Sequence, residues 1–358
     1  MPSLEELRKN IDGIDDDITR LLHRRAELVL EVKKAKEQGN IDIYSPARER
    51  QILDRVAQVV PNGQFPRGAL EKIFQNIIGA TRSLIGQLNV SFVGPESSLG
   101  HEGAVKQFGE DLQFRPEASI DEVFAKVESG DSHYGIVPAR ASGGSLVMRT
   151  FELLLDSPLV VIAEVEVKER LAVIGEGPGT AELQQVFSDA YSFHRALPWI
   201  RASIPGAQLE LVDNTELAMK MVKGDRFSAA IALETGAQRH GLSVLASGID
   251  SDPGGDARFV VLGQKVPVRT GNDKTSLVCA TEERAGALRD VLAPFSDNGI
   301  TLLKIESRRV RNRAWEYAFF LDAAGHQTEP SMAAAIAQLN KLGRFVKVLG
   351  SYPLVCQS

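Results

Sequence analysis

The chain contains 358 residues, of which 43% are hydrophobic and 25% charged, and its formal net charge is −6. These values are ordinary for folded protein, and at about 150 residues per domain the length predicts two or three domains. Lysine and arginine are spread along the chain without the concentrated basic face that nucleic acid requires, so nucleic-acid binding is excluded. No apolar run approaches membrane-spanning length and the N-terminus lacks an apolar signal region, so we expect a cytoplasmic protein that does not enter a membrane.

The two cysteines, Cys279 and Cys356, stand far apart and lack the paired spacing of a zinc site or the density of a disulfide scaffold. The chain also lacks a P-loop, a zinc-protease motif and a dinucleotide-binding fingerprint. We therefore expect no metal and no cofactor.

Residues 1–88 have the apolar spacing of helices. From Leu4 onward, apolar side chains recur every three or four positions, which predicts one long amphipathic helix with a capping-box pattern at Ser3 and Glu6. Two further helices are predicted, one that begins at Pro46 and one that follows Pro66. The first domain is therefore predicted to be all-α.

Residues 89–265 alternate strand-like and helix-like segments, which is typical of an α/β domain. Two adjacent strand-like runs near residues 158–174 predict a crossover between two lobes, and the chain is expected to return near residues 242–262. Two lobes joined in this way predict a ligand cleft between them. Residues 272–358 then show the order βαββαβ, which predicts a ferredoxin-like α+β domain.

Four cations of the helical domain are candidates for a binding pocket. Arg25 occupies a position in the apolar stripe of the first helix, where a buried guanidinium needs an anionic partner. Arg8, Lys36 and Arg48 join it if the helices pack around a shared cavity, which would suit a small dicarboxylate. The alternative is that all four are solvated, with Arg25 reaching water from the edge of the stripe.

Three segments of this domain, LEELRKNID, LLHRRAELVLEVKKAK and YSPARERQIL, resemble AroQ-type chorismate mutases. The resemblance implies rearrangement of chorismate to prephenate, a unimolecular reaction that needs positioning and electrostatics rather than a general base. It implies that the arginines hold the substrate carboxylates, that the lysine contacts the ether oxygen and a carboxylate, and that the glutamate contacts a hydroxyl. The catalytic residues implied are Arg8, Arg25, Lys36, Arg48, Glu49 and Thr81.

Three positions depart from the mutase pattern. Ser45 stands where aspartate is common, Thr81 where serine is usual, and Ile85 where a glutamine or glutamate donates to the breaking ether bond. Isoleucine cannot donate a hydrogen bond, and loss of one such donor slows a reaction roughly a hundredfold to a thousandfold. We therefore predict a weakened mutase.

The segments VSFVGPESS, HYGIVP, SAAIAL, GLSVL and RFVVLG resemble prephenate dehydratases, which implies a two-lobed fold like the type II periplasmic binding proteins. Two departures concern chemistry: Arg140 replaces a family glutamate, and Ala257 replaces the threonine of a Thr-Arg-Phe triplet. Since a hydroxide leaving group needs a proton donor, these departures predict a changed or lost dehydratase activity. The candidate substrate-binding residues are Ser98, His101, Arg140, Ser142 and Arg258.

The segments DKTSLVCAT, RAGALRDVLAPFSDNGITLLKIESRR, AWEYAFFLD and FVKVLGSYP resemble the ACT domain of the bifunctional P-proteins, which carry all three domains. The resemblance implies phenylalanine as an effector and assembly into a homodimer or homotetramer. The effector-binding residues implied are Gly286, Ala287, Leu288, Asn298, Glu306, Ser307 and Arg308. A purely structural dimerisation role for this domain is the alternative.

The main functional prediction is thus an enzyme of the route from chorismate through prephenate to phenylpyruvate, with feedback by phenylalanine. One alternative keeps the substrates but decarboxylates prephenate to a non-aromatic keto acid. The other is a catalytically weak regulatory relative.

Overall fold

A computed structural model describes residues 3–39, 46–59, 65–84, 88–110, 112–140, 145–250, 257–281, 284–309, 317–342 and 345–354. The chain divides into two compact units, one made of residues 1–88 with 108–113 and the other of the remaining residues. None of the described helices combines the length and the apolarity that a membrane crossing requires. The described residues contain no group of three or more acidic, histidine or cysteine side chains arranged to hold a metal ion.

The first unit contains three helices: α1 (Leu4–Gly39), α2 (Pro46–Val59) and α3 (Arg67–Ser83). The capping box at the start of α1 is confirmed, because the Ser3 amide donates to the Glu6 carboxylate at 2.7 Å and the Glu6 amide donates to Ser3 Oγ at 3.2 Å. The apolar stripe of α1 is solvent-exposed in the single chain, with Ile11 at 56% and Leu21 at 66%. The predicted all-α fold is confirmed.

The second unit begins with a five-stranded sheet, the first lobe. Its chain-ordered elements are β1 (Asn89–Val93), α4 (Leu99–Phe108), β2 (Gln113–Glu117), α5 (Ile120–Glu128), β3 (Tyr134–Arg140), α6 (Ser145–Asp156) and β4 (Val160–Val167). The fifth strand, formed by residues 257–263, returns from the second lobe and inserts between β3 and β4, antiparallel to both. β1 and β3 are parallel, so their carboxyl ends, and the loops that follow, meet at one edge of the sheet.

The second lobe is another five-stranded sheet. Its elements are β5 (Leu171–Gly175), β6 (Gln185–Ser188), α7 (Ala190–Ser203), β7 (Gln208–Leu211), α8 (Thr215–Met221), β8 (Ser228–Leu233), α9 (Glu234–His240) and β9 (Ser243–Ser247). The strand order is β7-β6-β8-β5-β9, and the chain then re-enters the first lobe as β10 (Ala257–Gly263). The predicted two-lobed fold, with its crossover after β4 and its return before β10, is confirmed.

Arg195 of α7 ties the two crossing segments together. Its guanidinium pairs with Glu169, which follows β4, and with Asp250, which follows β9. The Tyr191 hydroxyl donates to Glu169 at 2.8 Å and accepts from Arg195 at 2.8 Å. Because these carboxylates are nearly fully buried, the network fixes the hinge between the lobes.

The last domain has the predicted βαββαβ order: β11 (Asp273–Ala280), α10 (Ala287–Asp297), β12 (Leu302–Arg309), β13 (Tyr317–Ala324), α11 (Pro330–Leu342) and β14 (Phe345–Pro353). Its antiparallel sheet has the order β12-β13-β11-β14. One face of this sheet packs against α10 and α11. The opposite face packs on the first lobe, where Phe320 and Tyr352 share one apolar core with Phe151 and Leu154. At this contact a Cβ on Gly350 would lie 2.0 Å from the Val161 carbonyl oxygen, so the approach of β14 to β4 requires glycine.

Candidate active sites

Two of the predicted mutase residues meet across helices α1 and α3. The half-buried Arg25 donates from Nη1 to Thr81 Oγ1 at 2.6 Å and approaches the Ile77 carbonyl at 3.4 Å. Burial lowers the pKa of Arg25, and the partners described for it are neutral oxygens rather than carboxylates. This placement favours a cationic pocket over a solvated side chain, since the guanidinium points into the helical unit.

The other predicted mutase residues are distributed differently. Glu49 of α2 pairs with the buried Arg82 of α3, whose guanidinium also donates to the Phe108 carbonyl at 2.8 Å. Arg48 is exposed and contacts Gln51 at 3.4 Å. Arg82 was missed from the sequence because an arginine in the last helical turn is ordinary.

Four further positions bear on the mutase prediction, and only that of Arg8 has a described side chain. Arg8 and Arg25 are 17 residues apart on α1, a separation of about 25 Å along the helix axis. The side chain of Lys36 and the whole of Ser45 and Ile85 lie outside the described residues. Within one chain, therefore, the structure does not bring Arg8 to the Arg25 pocket.

The dehydratase-like cleft begins at the loop after β1. Ser97 adopts φ of 65° although it is not glycine, and its side chain is buried at 2% exposure. Such a backbone conformation costs energy and is concentrated at functional sites. The Ser97 amide donates to His101 Nδ1 at 3.0 Å, and Ser98 Oγ lies 3.5 Å from the Val93 carbonyl. Ser98 of this loop and His101 of the first turn of α4, both predicted from the sequence, therefore lie together, and the His101 amide donates to Ser98 Oγ at 3.3 Å.

His101 is held as a neutral imidazole. Its ring stacks on Phe92 with centroids 5.1 Å apart and meets the edge of Phe114 at 5.5 Å. Burial, and secondarily the charge of Arg239, lowers the pKa of His101 to about 4. Since Nδ1 accepts from the Ser97 amide, the ring proton resides on Nε2, which makes that atom a hydrogen-bond donor.

The second lobe contributes residues that were not predicted. Arg239, in the last turn of α9, donates from Nη1 to Glu102 at 2.5 Å and lies 3.3 Å from His101 Nδ1. His240 Nε2 lies 3.5 Å from Ser97 Oγ, and its pKa is lowered by burial and by Lys223. These contacts join the two lobes across the cleft.

The other predicted cleft residues lie elsewhere. Arg140 ends β3 with an exposed side chain, and Ser142 lies outside the described residues. Arg258 points to the sheet face opposite the one that Ala257 and Phe259 share with α4, and its Nε lies 2.7 Å from Glu164 while its Nη2 donates to Glu166 at 2.9 Å. The structure therefore does not bring Arg258 to Ser98 and His101, and its predicted role in substrate binding is not supported by this placement.

Arg258 belongs to an ionic cluster that we call the domain seam, between the first lobe and the last domain: Glu164, Glu166, Arg258, Lys274 and Asp322. Lys274, at 5% side-chain exposure, pairs with Glu164 and lies 3.1 Å from Asp322. Although burial lowers the pKa of Lys274, the neighbouring Tyr352, Asp322 and Glu164 raise it above its ordinary value. Glu164, Arg258 and Asp322 of this cluster line a cavity of about 50 Å³.

The last domain contacts helix α6 of the first lobe at two points. Lys347 Nζ donates to the carbonyls of Leu154, Leu155 and Ser157 at 2.8, 3.1 and 2.6 Å, which satisfies the C-terminal end of the helix. The guanidinium carbon of Arg308 lies 4.4 Å from the centre of the Phe151 ring. Arg308 and its ion-pair partner Glu306 therefore face the first lobe.

The remaining predicted effector residues surround α10 and the edge strand. Gly286 precedes α10 with φ of 84°, followed by Ala287 and the exposed Leu288. Asn298 closes α10 and donates from Nδ2 to the Pro294 carbonyl at 2.7 Å. Ser307 is exposed on β12. Their role in effector binding stays a prediction.

Three family models match the chain: Chorismate mutase type II over residues 7–85, Prephenate dehydratase over residues 90–267 and the ACT domain over residues 275–341. Together they define a mutase and dehydratase fusion that ends in an ACT domain. The bifunctional chorismate mutase/prephenate dehydratase of Aquifex aeolicus is 33% identical, covering 99% of this chain and 98% of its own length. That of Pseudomonas aeruginosa is 32% identical, covering 98% of this chain and 97% of its own length. The chain belongs to the family of bifunctional chorismate mutase/prephenate dehydratases.

Solved structures agree with this assignment. A prephenate dehydratase from Arthrobacter aurescens in complex with L-Phe superimposes with a TM-score of 0.65 at 26% identity, covering 75% of this chain and 90% of its own. A quorum-quenching acylase, GqqA, superimposes equally well at 19% identity and so shows the fold alone. The main functional prediction, an isomerase fused to a lyase of aromatic amino acid biosynthesis, is confirmed, and neither alternative gains support.

Proposed function

We propose that the chain, as a cytoplasmic enzyme, converts chorismate to prephenate in the helical unit and prephenate to phenylpyruvate between the two lobes. The observation that carries the proposal is the match of all three domains, in order and over 99% of the chain, to a bifunctional relative. The half-buried Arg25, bonded to Thr81 in the helical unit, and the neutral His101 near the contact of the two lobes support it.

The mutase step uses the Arg25 pocket. The guanidinium holds a carboxylate of chorismate, and Thr81 fixes the direction of that guanidinium through its hydroxyl. Because the rearrangement breaks and forms bonds within one molecule, holding the folded substrate and stabilising charge on the ether oxygen is sufficient. Lys36 supplies the cation for that oxygen.

The absent donor at position 85 makes this step slow. We expect Ile85→Gln to raise mutase kcat roughly a hundredfold, because the amide restores a hydrogen bond to the ether oxygen. The measurement is the loss of chorismate absorbance, with Ile85→Leu as the matched control that restores no donor. An Ile85→Gln rate equal to that of Ile85→Leu would show that Lys36 alone serves this oxygen.

A complete mutase pocket requires a second chain. Arg8 lies about 25 Å along α1 from Arg25, too far for one chain to place both on the same substrate. The exposed apolar stripe of α1, including Ile11 and Ile18, supplies a face for pairing with a second α1. We therefore assign a homodimer, which becomes a homotetramer if the edge strand β12 also pairs.

The dehydratase step takes place beside His101 and Ser98. Loss of carbon dioxide from prephenate leaves an electron pair that aromatises the ring as the C–OH bond breaks, and a proton must reach the departing oxygen to form water. The donors that we assign to this step are His101 Nε2 and the Ser98 hydroxyl, whose residues are linked by the His101 amide donating to Ser98 Oγ at 3.3 Å. Ala257 supplies none, so we expect a slow dehydratase.

L-Phenylalanine is the effector that we assign to the ACT domain. The prephenate dehydratase of Arthrobacter aurescens, similar over three quarters of this chain, was solved in complex with L-Phe. The proposed contacts are the start of α10, where Gly286 supplies no side chain to cap the first amides, and the strand β12, which carries Glu306 and Ser307.

The experiment is incubation of the purified chain with chorismate and, separately, with prephenate at neutral pH, followed by proton NMR against an enzyme-free control. We expect prephenate from chorismate and phenylpyruvate from prephenate, with L-phenylalanine reducing the second rate. A non-aromatic keto acid would replace the dehydratase assignment by decarboxylation, and no turnover of either substrate would refute the proposal.

A further inference from the structure

The cleft needs a cation for prephenate, which carries two carboxylates, and Arg258 does not supply it because its side chain belongs to the domain seam. We propose that Arg239 of the second lobe binds a carboxylate of prephenate in the cleft, with Glu102 of the first lobe holding the guanidinium in position. This inference rests on the proposed dehydratase function and names a residue of that same site.

The position of Arg239 between the two lobes supports this role. Arg239 lies on α9 of the second lobe, yet its contacts are Glu102 at 2.5 Å and His101 at 3.3 Å on the first lobe. A side chain that spans from one lobe to the other lies where the two lobes meet, which is where the two-lobed fold predicts the ligand site. Glu102 and His101 belong to the first turn of α4, directly after the strained loop at Ser97, at the edge where β1 and β3 end. Ligands of α/β sheets bind at this edge.

The guanidinium of Arg239 also keeps donors that are available to a ligand. Glu102 and His101 both contact Nη1, and within the described part of the chain Nε and Nη2 of Arg239 make no hydrogen bond. The Nε and Nη2 pair is the edge of guanidinium that matches a carboxylate bidentately. Arg258 differs, because its Nη2 donates to Glu166 at 2.9 Å and its Nε, although it makes no hydrogen bond, lies 2.7 Å from Glu164 in an ion pair. Arg239 is therefore held through Nη1, and its Nε and Nη2 are available to bind a carboxylate.

The charges around Arg239 also favour the binding of an anion. His101 stays neutral near pH 7 because its pKa lies at about 4, so the imidazole adds no second charge that would have to be neutralised. Lys220 and Glu216 of α8 pair with each other at 2.5 Å, and Glu96 and Lys223 also face this region. An incoming carboxylate therefore meets Arg239 as the cation whose bidentate edge is open, and a neutral donor beside it.

Two substitutions test the inference. Arg239→Met removes the charge while keeping most of the side-chain length, and Arg239→Lys keeps a charge but loses the bidentate edge. Arg226→Met is the matched control, since Arg226 belongs to the same lobe and pairs with Glu182 on the exposed surface. We expect the KM for prephenate to rise about tenfold to a hundredfold in Arg239→Met, less in Arg239→Lys, and not in Arg226→Met. Urea unfolding followed by tryptophan fluorescence, which includes Trp199 of the same lobe as Arg239, reports that each variant is folded.

Calorimetric titration with prephenate separates this inference from the proposed function. If the wild type binds prephenate without forming phenylpyruvate, the dehydratase proposal fails while a tenfold or greater loss of affinity in Arg239→Met still supports the inference. Equal affinity or equal KM in wild type and Arg239→Met overturns it, as does a wild type that binds no prephenate. Should Arg239→Met fail to fold, the Arg239→Lys titration decides on the same criterion.

Discussion

Arg258 and Arg239, one at each of two boundaries of the first lobe, are held under opposite conditions. On the domain seam, Arg258 has Nε and Nη2 engaged by two carboxylates, and the adjacent Lys274 is buried between Glu164 and Asp322. In the cleft, Arg239 is held through Nη1 alone and is 29% exposed. The comparison teaches that the state of the guanidinium edge separates a structural arginine from one available to a ligand, whereas family position alone had favoured Arg258. Charge changes on the seam should therefore alter stability, and charge changes in the cleft should alter binding.

The largest effect is expected from Lys274→Met. Removing the ammonium leaves Glu164 and Asp322 buried with reduced compensation, and breaking a buried ion pair costs about 3 to 5 kcal/mol. Urea unfolding followed by tryptophan fluorescence measures the loss. Lys126→Met is the control, because its pair with Asp131 is exposed and worth less than about 1 kcal/mol. Equal losses in the two variants would contradict the view that the seam stores stability in buried charge.

Arg258→Met sharpens the comparison next. We expect a loss of about 2 to 3 kcal/mol in unfolding free energy, because Glu166 loses its partner in a half-buried site and Glu164 keeps only Lys274. The KM for prephenate should stay within twofold of the wild-type value. A KM that rises tenfold without a change in stability would return Arg258 to the substrate site and reverse the assignment of the two arginines.

The sequence could predict the fold because periodicity and turn residues are local. The stripe of α1, the capping box at Ser3 and Glu6, the two-lobe crossover and the βαββαβ order all follow from such patterns. The Arg25 pocket was also within reach, because a charge inside an apolar stripe is conspicuous.

The orientation of Arg258 was beyond the sequence. Alternation along β10 places Ala257 and Arg258 on opposite faces, but the choice of covered face depends on packing of the last domain against β4. Arg239 gave no signal either, since a basic residue in the last turn of a helix usually compensates the helix dipole. Which donors are engaged is a tertiary property that no local pattern encodes.

A smaller loss of stability is expected from Lys347→Met, which removes the contact of the last domain with the C-terminal end of α6. The ammonium donates to three carbonyls at the end of that helix, and its loss leaves them without a charged donor, at a cost of about 2 kcal/mol. The same variant should weaken inhibition by L-phenylalanine, because the contact between the ACT domain and α6 loosens. Urea unfolding and phenylpyruvate formation across a phenylalanine titration measure the two effects. Unchanged stability would show that water replaces the ammonium at this helix end.

The smallest effect concerns pH and the cleft. The pKa of His101 is about 4 in the folded chain, against an ordinary value near 6.5, because burial and Arg239 disfavour the imidazolium. Between these values the unfolded chain binds the additional proton, so the stability that neutral His101 allows is complete above about pH 6.5 and declines as pH falls towards 4. We expect a loss of about 1 to 2 kcal/mol between pH 7 and pH 5 in the wild type.

His101→Gln isolates that contribution, because an amide can accept from the Ser97 amide without titrating. Its unfolding free energy should fall less than that of the wild type over the same pH interval, with urea unfolding at pH 7, 6 and 5 as the measurement. Parallel curves would mean that His101 is protonated in the folded chain. In that case the cleft would carry a second cation beside Arg239, and the contrast with the ion-paired domain seam would be larger than the present geometry indicates.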